Sequence, residues 1–210
     1  MPKKNELIIF VKAPVPGNVK TRLVPPLSYE QAAGLYRTWA KEAFVNANHL
    51  DDAKVEIAYA SHPKIPVPNW LSEGKTQPDY FMQQGGHLGE RLIHAFSRAF
   101  SNGMQRVVII GSDSPGLPCN YLIDAFHHLE RSDMVLGQAQ DGGYYLVGLS
   151  HCSRPELFQD IPWSSSQVFA RTIEAAAKTG LSVQLLPEYS DIDTFYDLEQ
   201  FRAQYERKNS

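Results

Sequence analysis

Several short stretches of this chain place charged residues and glycines where they could hold a phosphorylated ligand. The first is Lys12-Ala-Pro-Val-Pro-Gly-Asn-Val-Lys-Thr-Arg-Leu23, in which Gly17 loosens a loop and Lys20 and Arg22 flank Thr21. Such a loop can gather backbone amides and positive charge around a phosphate. It is neither a P-loop nor a dinucleotide fingerprint, since neither glycine pattern is present. A solvated turn with ordinary surface cations explains these residues equally well, and a position just after the first strand favours phosphate.

The second stretch is Gln83-Gln-Gly-Gly-His-Leu-Gly-Glu-Arg91. Gly85, Gly86 and Gly89 allow a ligand close to the backbone, and the Gln84 amide suits the edge of a base. A glycine-rich turn into a helix needs no ligand and stands as the alternative. The third is Gly111-Ser-Asp-Ser-Pro115, where Asp113 lacks a neighbouring cation in sequence. A hard ion such as Mg²⁺ or Mn²⁺ uses one or two carboxylates and completes its shell with phosphate oxygens and water. Helix capping by Asp113 is disfavoured, because Pro115 and Pro118 push the next helix start later.

Asp191-Ile-Asp-Thr-Phe-Tyr-Asp197 supplies a second acidic cluster, in which Asp193 can cap the last helix and, having two oxygens, serve a site as well. Asp141-Gly-Gly-Tyr-Tyr145 reads as a hairpin turn, with Asp141 as an acceptor-binding group or general base in the alternative. Tyr144 and Tyr145 face opposite sides of a strand, so one is core and the other can line a pocket. Trp163-Ser164 precedes a helix and is either its approach or part of an acceptor site. Zinc ligation and a serine or cysteine nucleophile are disfavoured, because the histidines, serines and cysteines lack the required spacings.

The elements that must position these groups follow from hydrophobic period. Short apolar or alternating runs predict strands at 7–11, 54–60, 80–82, 106–110, 133–139, 143–149 and 182–186. Helical spacing predicts helices after Ser28, at 88–99, 119–130, 165–178 and 194–205, the first opened by a Ser28/Gln31 capping box. Gly180 is placed to end the fourth as a left-handed cap. The proline-rich stretch 61–78 reads as a loop. Strands alternating with helices imply a three-layer α/β sandwich with a mostly parallel sheet, and the pair at 133–149 leaves room for one antiparallel strand. Ligands then collect at the carboxyl ends of the strands.

The 210 residues are 43% apolar and 20% charged, a globular composition suited to one domain over 1–210. A net charge of −3 argues against binding nucleic acid through phosphate neutralisation. The apolar run Leu7 to Val11 is too short for a signal peptide or a membrane span, and Cys119 and Cys152 cannot frame a disulfide scaffold. A cytoplasmic protein is the expectation.

In order along nearly the whole chain, Phe10 to Leu23, Gly85 to Arg91, Gly111 to Pro115, Asp141 to Tyr145 and Asp191 to Thr194 resemble the DUF2064 family. That family is glycosyltransferase-A-like, and its pattern prefers Asp where this chain has His87. The resemblance implies a nucleotide-diphospho-sugar transferase fold. It implies nucleotide contacts from Ala13, Pro14, Gly17, Lys20, Arg22, Gln84, Gly85, Gly86, Leu88, Gly89 and Ser112. Asp113 and Asp193 would hold the metal; Asp141, Gly142, Gly143, Tyr144, Trp163 and Ser164 would face the sugar or acceptor. Two reactions remain open: transfer of a sugar from a nucleoside-diphosphate sugar to a small acceptor, with Asp113, Lys20, Arg22 and Asp141 catalytic, or nucleotidyl transfer from an NTP to a phosphorylated small molecule. A nucleotide-binding module without turnover is a third reading. Base, sugar, acceptor and oligomeric state stay undetermined.

Overall fold

Runs of branched apolar residues build the strands, and the computed structural model describes residues 3–65, 69–71 and 78–208 of the chain. The elements are β1 (Asn5–Val11), α1 (Tyr29–Ala47), β2 (Ala53–Tyr59), β3 (Asp79–Met82), α2 (Leu88–Ser101), β4 (Arg106–Ile110) and α3 (Cys119–His128). They continue with β5 (Met134–Ala139), β6 (Tyr144–Ser150), α4 (Val168–Lys178), β7 (Val183–Tyr189) and α5 (Phe195–Lys208). Of the expected proline-rich loop, residues 66–68, with Pro66 and Pro68, and 72–77 lie outside the described residues.

All seven strands join one sheet in the order β3-β2-β1-β4-β6-β5-β7. β6 runs antiparallel to both β4 and β5, and the other pairs are parallel. A central parallel strand is buried on both faces, which is why β1 and β4 read as unbroken apolar runs. Leu7 and Ile9 pack with Phe44 of α1 and Leu122 and Phe126 of α3, whereas Ile8 packs with Leu92 and Phe96 of α2 on the other face. Ala176 of α4 joins that second layer, and α5 lays Leu198 beside Leu23, Ala32 and Trp39. The three-layer sandwich is therefore present, with β6 as the antiparallel member.

The expected capping box is formed: Ser28 Oγ accepts from Gln31 N–H at 3.2 Å, and Gln31 Oε1 accepts from Ser28 N–H at 2.8 Å. Ser28→Ala should lower stability by about 1 kcal/mol, read as a Tm lower by roughly 2–4 °C. Several boundaries move, two of them for reasons the contacts show. The fourth helix starts at Val168 rather than 165, because Ser165 spends its hydroxyl locally, donating to Pro162 O and accepting from Gln167 N–H. The last strand extends beyond 186 to Tyr189 across Pro187, since β7 lies at the sheet edge, where a missing N–H breaks no ladder.

On the α2 face, two buried carboxyl groups lie side by side, Glu6 from β1 and Glu56 from β2. Arg98 and Lys54 both donate to Glu56. Burial, then the hydrogen bond with Glu56 and its charge, push the Glu6 carboxyl up. Burial works against ionisation of Glu56 too, but hydrogen bonds from Arg98, Lys54 and Glu6 outweigh it and hold its pKa down. Glu6 therefore keeps the proton that Glu56 gives up.

Candidate functional site

Because β1, β4 and β7 point the same way, the segments that leave them meet at one rim of the sheet. After β1 the backbone turns through Gly17, with φ +83°, and Lys20, with φ 47°. That path sends the Lys20 side chain inward, where it is only 5% exposed. Its ammonium lies 2.8 Å from Asp193 Oδ1 and 3.2 Å from Asp113 Oδ2, and 5.9 Å from the centre of the Trp39 ring. Arg22 reaches the other Asp193 oxygen at 3.6 Å while remaining open to solvent. Thus the cations that follow the first strand and the acidic groups that follow the fourth and seventh share one ion cluster.

Burial opposes the charge on Lys20, yet the charges of Asp113 and Asp193 outweigh it and hold the ammonium pKa above its usual value. In Asp193 burial is likewise overcome, chiefly by the Lys20 charge and hydrogen bond and then by Arg22 and Lys12, so its pKa is held down. Neither aspartate caps a helix. α3 is preceded by Pro118, and Thr194 and Asp197 cap α5 reciprocally, with Asp197 Oδ2 accepting from Thr194 N–H at 2.7 Å. The capping alternative for Asp193 is therefore replaced by Thr194, leaving its carboxylate to the cluster.

Two residues become part of the site that sequence reasoning had assigned no role there. Tyr36 read as one apolar-face position of a helix, but its hydroxyl accepts from Lys12 N–H at 2.7 Å and pairs with Ser112 Oγ at 2.8 Å. It ties the first loop to the loop after β4. Asp191 accepts from Ser114 Oγ, and burial, followed by the Asp113 charge, pushes its carboxyl up to about 6. The one signal for it was the Asp-x-Asp spacing, which puts both carboxylates on the same side of an extended segment.

The cleft has two lobes that share Lys12, Tyr36 and Asp113. The outer lobe, about 190 Å³, is lined by Asn18, Lys20, Thr21, Arg22 and Asp193. The deeper lobe, about 240 Å³, has an apolar floor of Phe10, Leu92, Ile109 and Val147, with Asp191, Gln83 and Arg91 among its polar groups. Arg91 is oriented by donating from Nε to Gly85 O at 3.1 Å.

The glycine-rich stretch divides. Leu88 lines the deeper lobe, and Gln84, Gly85 and Gly86 are exposed at the start of α2. Gly85 has φ +125°, and Gly86 N–H donates to Glu90 Oε2 at 2.6 Å. A Cβ on Gly89 would lie 2.5 Å from Phe158 O and 2.7 Å from Trp163 Nε1, so internal packing alone demands this glycine. His87 caps α2 by accepting from Glu90 N–H at 3.4 Å, which accounts for a position where Asp, a favoured cap, is the family preference. Ala13 and Pro14 stand half-buried in the first loop, and Ser112 is buried against Tyr36.

Asp141 sits exposed in the β5–β6 turn, its Oδ1 accepting from Gly143 N–H at 2.8 Å, and its charge contributes to raising Asp191. Gly142 has φ +86°, and a Cβ there would lie 2.2 Å from Ser166 O. Tyr144 meets Trp163 edge to face at 6.4 Å between α2 and α4, while Tyr145 donates to Pro187 O on the other face. Both tyrosines touch the deeper lobe as well as the core. Ser164 is exposed in a left-handed conformation.

The donor set at the rim suits a hard divalent ion. Asp113 has Oδ1 beyond the oxygen on Lys20, and Gly111 makes room for it, since a Cβ there would lie 2.9 Å away. Asp193 offers less, with one oxygen on Lys20 and the other on Arg22. Among the described residues no group of three or more His, Cys, Asp or Glu is arranged to hold a metal alone, so an ion here would draw on phosphate oxygens and water.

A mostly parallel seven-stranded sheet with one antiparallel strand and helices on both faces is a nucleotide-diphospho-sugar transferase-like α/β fold. Over residues 44–165 the chain matches the DUF2064 family, described as an uncharacterized protein conserved in bacteria, and it belongs to that family. A Desulfovibrio desulfuricans G20 protein, provisionally named a nucleotide-diphospho-sugar transferase, is 36% identical with a TM-score of 0.88, covering 95% of this chain and 87% of its own. The 4-diphosphocytidyl-2C-methyl-D-erythritol synthase of Anaerococcus prevotii DSM 20548 superposes with a TM-score of 0.62 at 7% identity, each chain 97% covered. CMP:2-keto-3-deoxy-manno-octonic acid synthetase, in complex with CTP, gives 0.57 at 12% identity, covering 98% of this chain and 99% of its own. These last two share the fold alone. No curated protein matches the chain. Among the described residues no helix is long and apolar enough to cross a membrane.

Proposed function

We propose that the chain is a transferase that takes a nucleoside-diphosphate sugar as donor and passes the sugar to a small acceptor. The observation that supports this most directly is the meeting of the two lobes at Asp113, with Lys20 and Arg22 on the outer side. The outer lobe offers cations and small polar groups suited to a diphosphate. The deeper lobe, apolar below and polar at its mouth, suits a single ring with a few directed hydrogen bonds. A Mg²⁺ or Mn²⁺ ion on Asp113 would neutralise charge on the leaving diphosphate. Lys20 and Arg22 stabilise the charge that develops there. Lys12 N–H and the Tyr36 hydroxyl fix the loop that carries them. Asp141 stands on the rim as the base for an acceptor hydroxyl, and Asp191 lines the cavity beside it.

A thermal-shift panel with Mn²⁺ present tests the assignment. Saturating nucleoside-diphosphate sugars should raise Tm by roughly 5–10 °C, with nucleoside triphosphates giving little. The reverse pattern moves the protein to nucleotidyl transfer, and no shift with either class overturns both readings.

A further inference from the structure

The position of Lys20 bears on how a metal would enter this site. We infer that the Lys20 ammonium is a placeholder for the divalent ion: it keeps free metal out of the acidic rim and yields when a polyphosphate arrives to receive it. The inference rests on the nucleotide-binding reading above.

The geometry is that of a built cation site rather than a surface ion pair. Lys20 is 5% exposed, its ammonium bridges oxygens of Asp113 and Asp193 at 3.2 and 2.8 Å, and the Trp39 ring lies 5.9 Å away. Arg22 holds the remaining Asp193 oxygen at 3.6 Å. Lys20 and Arg22 match Asp113 and Asp193, and Lys12 offsets Asp191, so the cluster has no net charge to draw a lone divalent ion. An ion joining Asp113 would also stand within a few ångströms of a buried ammonium, a strongly repulsive arrangement at low local dielectric. A diphosphate in the outer lobe changes that balance. It supplies new acceptors for Lys20 and Arg22, frees carboxylate oxygens, and offers its own oxygens to the metal. Metal and polyphosphate therefore bind cooperatively, and by linkage each tightens the other by the same factor.

Mn²⁺ binding followed by the loss of the free-ion EPR signal, without nucleotide, provides the first test. Lys20→Met should bind Mn²⁺ at least about tenfold more tightly than wild type, whereas Lys20→Arg, which keeps the charge, should not. Equal affinity in wild type and Lys20→Met overturns the proposal. Should Lys20→Met fail to fold, the wild type decides by NMR of the lysine ε-methylene groups, with Lys20 assigned from the Lys20→Arg spectrum. Its resonance should stay fixed in millimolar Mg²⁺ alone and move when Mg²⁺ is joined by inorganic pyrophosphate; saturable movement with Mg²⁺ alone overturns the placeholder. Pyrophosphate that never binds would instead defeat the functional reading, and the Mn²⁺ comparison, which uses no phosphate, still judges Lys20.

Discussion

Asp113→Asn is expected to cut transfer by two to three orders of magnitude and to leave nucleotide affinity the same with and without Mg²⁺ or Mn²⁺. The substitution keeps shape but removes the charge that faces Lys20 at 3.2 Å and the oxygen available to a metal. Loss of one preorganised electrostatic group at a reacting centre costs about 10²–10³-fold in rate. The fold should survive, because the Asp113 side chain is a third exposed and its backbone holds no helix cap. A second readout comes from Asp191, whose raised value owes its second-largest part to Asp113. Without that charge its titration, followed by carboxyl NMR, should move down from about 6. A variant whose nucleotide affinity still responds to metal as wild type does would remove Asp113 from the metal role.

Glu6→Gln should stabilise the protein at alkaline pH and change little in acid. Glu6 is buried, and its folded pKa is raised above the ordinary 4.5 by burial and by Glu56. Below 4.5 the group is protonated in both folded and unfolded chains, so its contribution to stability is complete. As pH rises toward the folded value, the unfolded chain releases its proton first and stability is lost. Glutamine cannot ionise, and its amide can donate to Glu56 as the protonated acid does. Urea unfolding at pH 9 should show a gain of about 1–3 kcal/mol over wild type, shrinking below about 0.5 kcal/mol near pH 4.5. A loss of stability at pH 9 would mean that the Glu6 carboxyl is not raised in the fold and that the proton lies elsewhere.

The strands and helices were legible because their signals are local. Arg106-Val-Val-Ile-Ile110 is β4 residue for residue, and the Ser28/Gln31 box opens α1 as read. Errors fell where a neighbour in space set the boundary, as at Pro187, which extends a strand only because that strand is an edge. Lys20, Arg22, Asp113 and Asp193 were singled out by type and position, and the fold brings them into one cluster. The glycines were harder to read. A glycine signals close approach without naming what approaches, and at Gly89 it is Trp163 and the Phe158 carbonyl. Tyr36 and Asp191 escaped for a related reason, since the partners that give them roles, Ser112, Lys12 and Ser114, are distant in sequence.

What this sequence determined by itself was its alternation of strand and helix, its membership of a family, and the chemical types gathered at one rim. Those properties depend on periodicity and on residues read a few positions at a time. Only the tertiary structure decided which carboxylate is paired, which is left buried with a raised pKa, and that a lysine fills the space between two aspartates. Ionisation and desolvation depend on distances of a few ångströms between segments far apart along the chain, and those distances are set by how the layers pack.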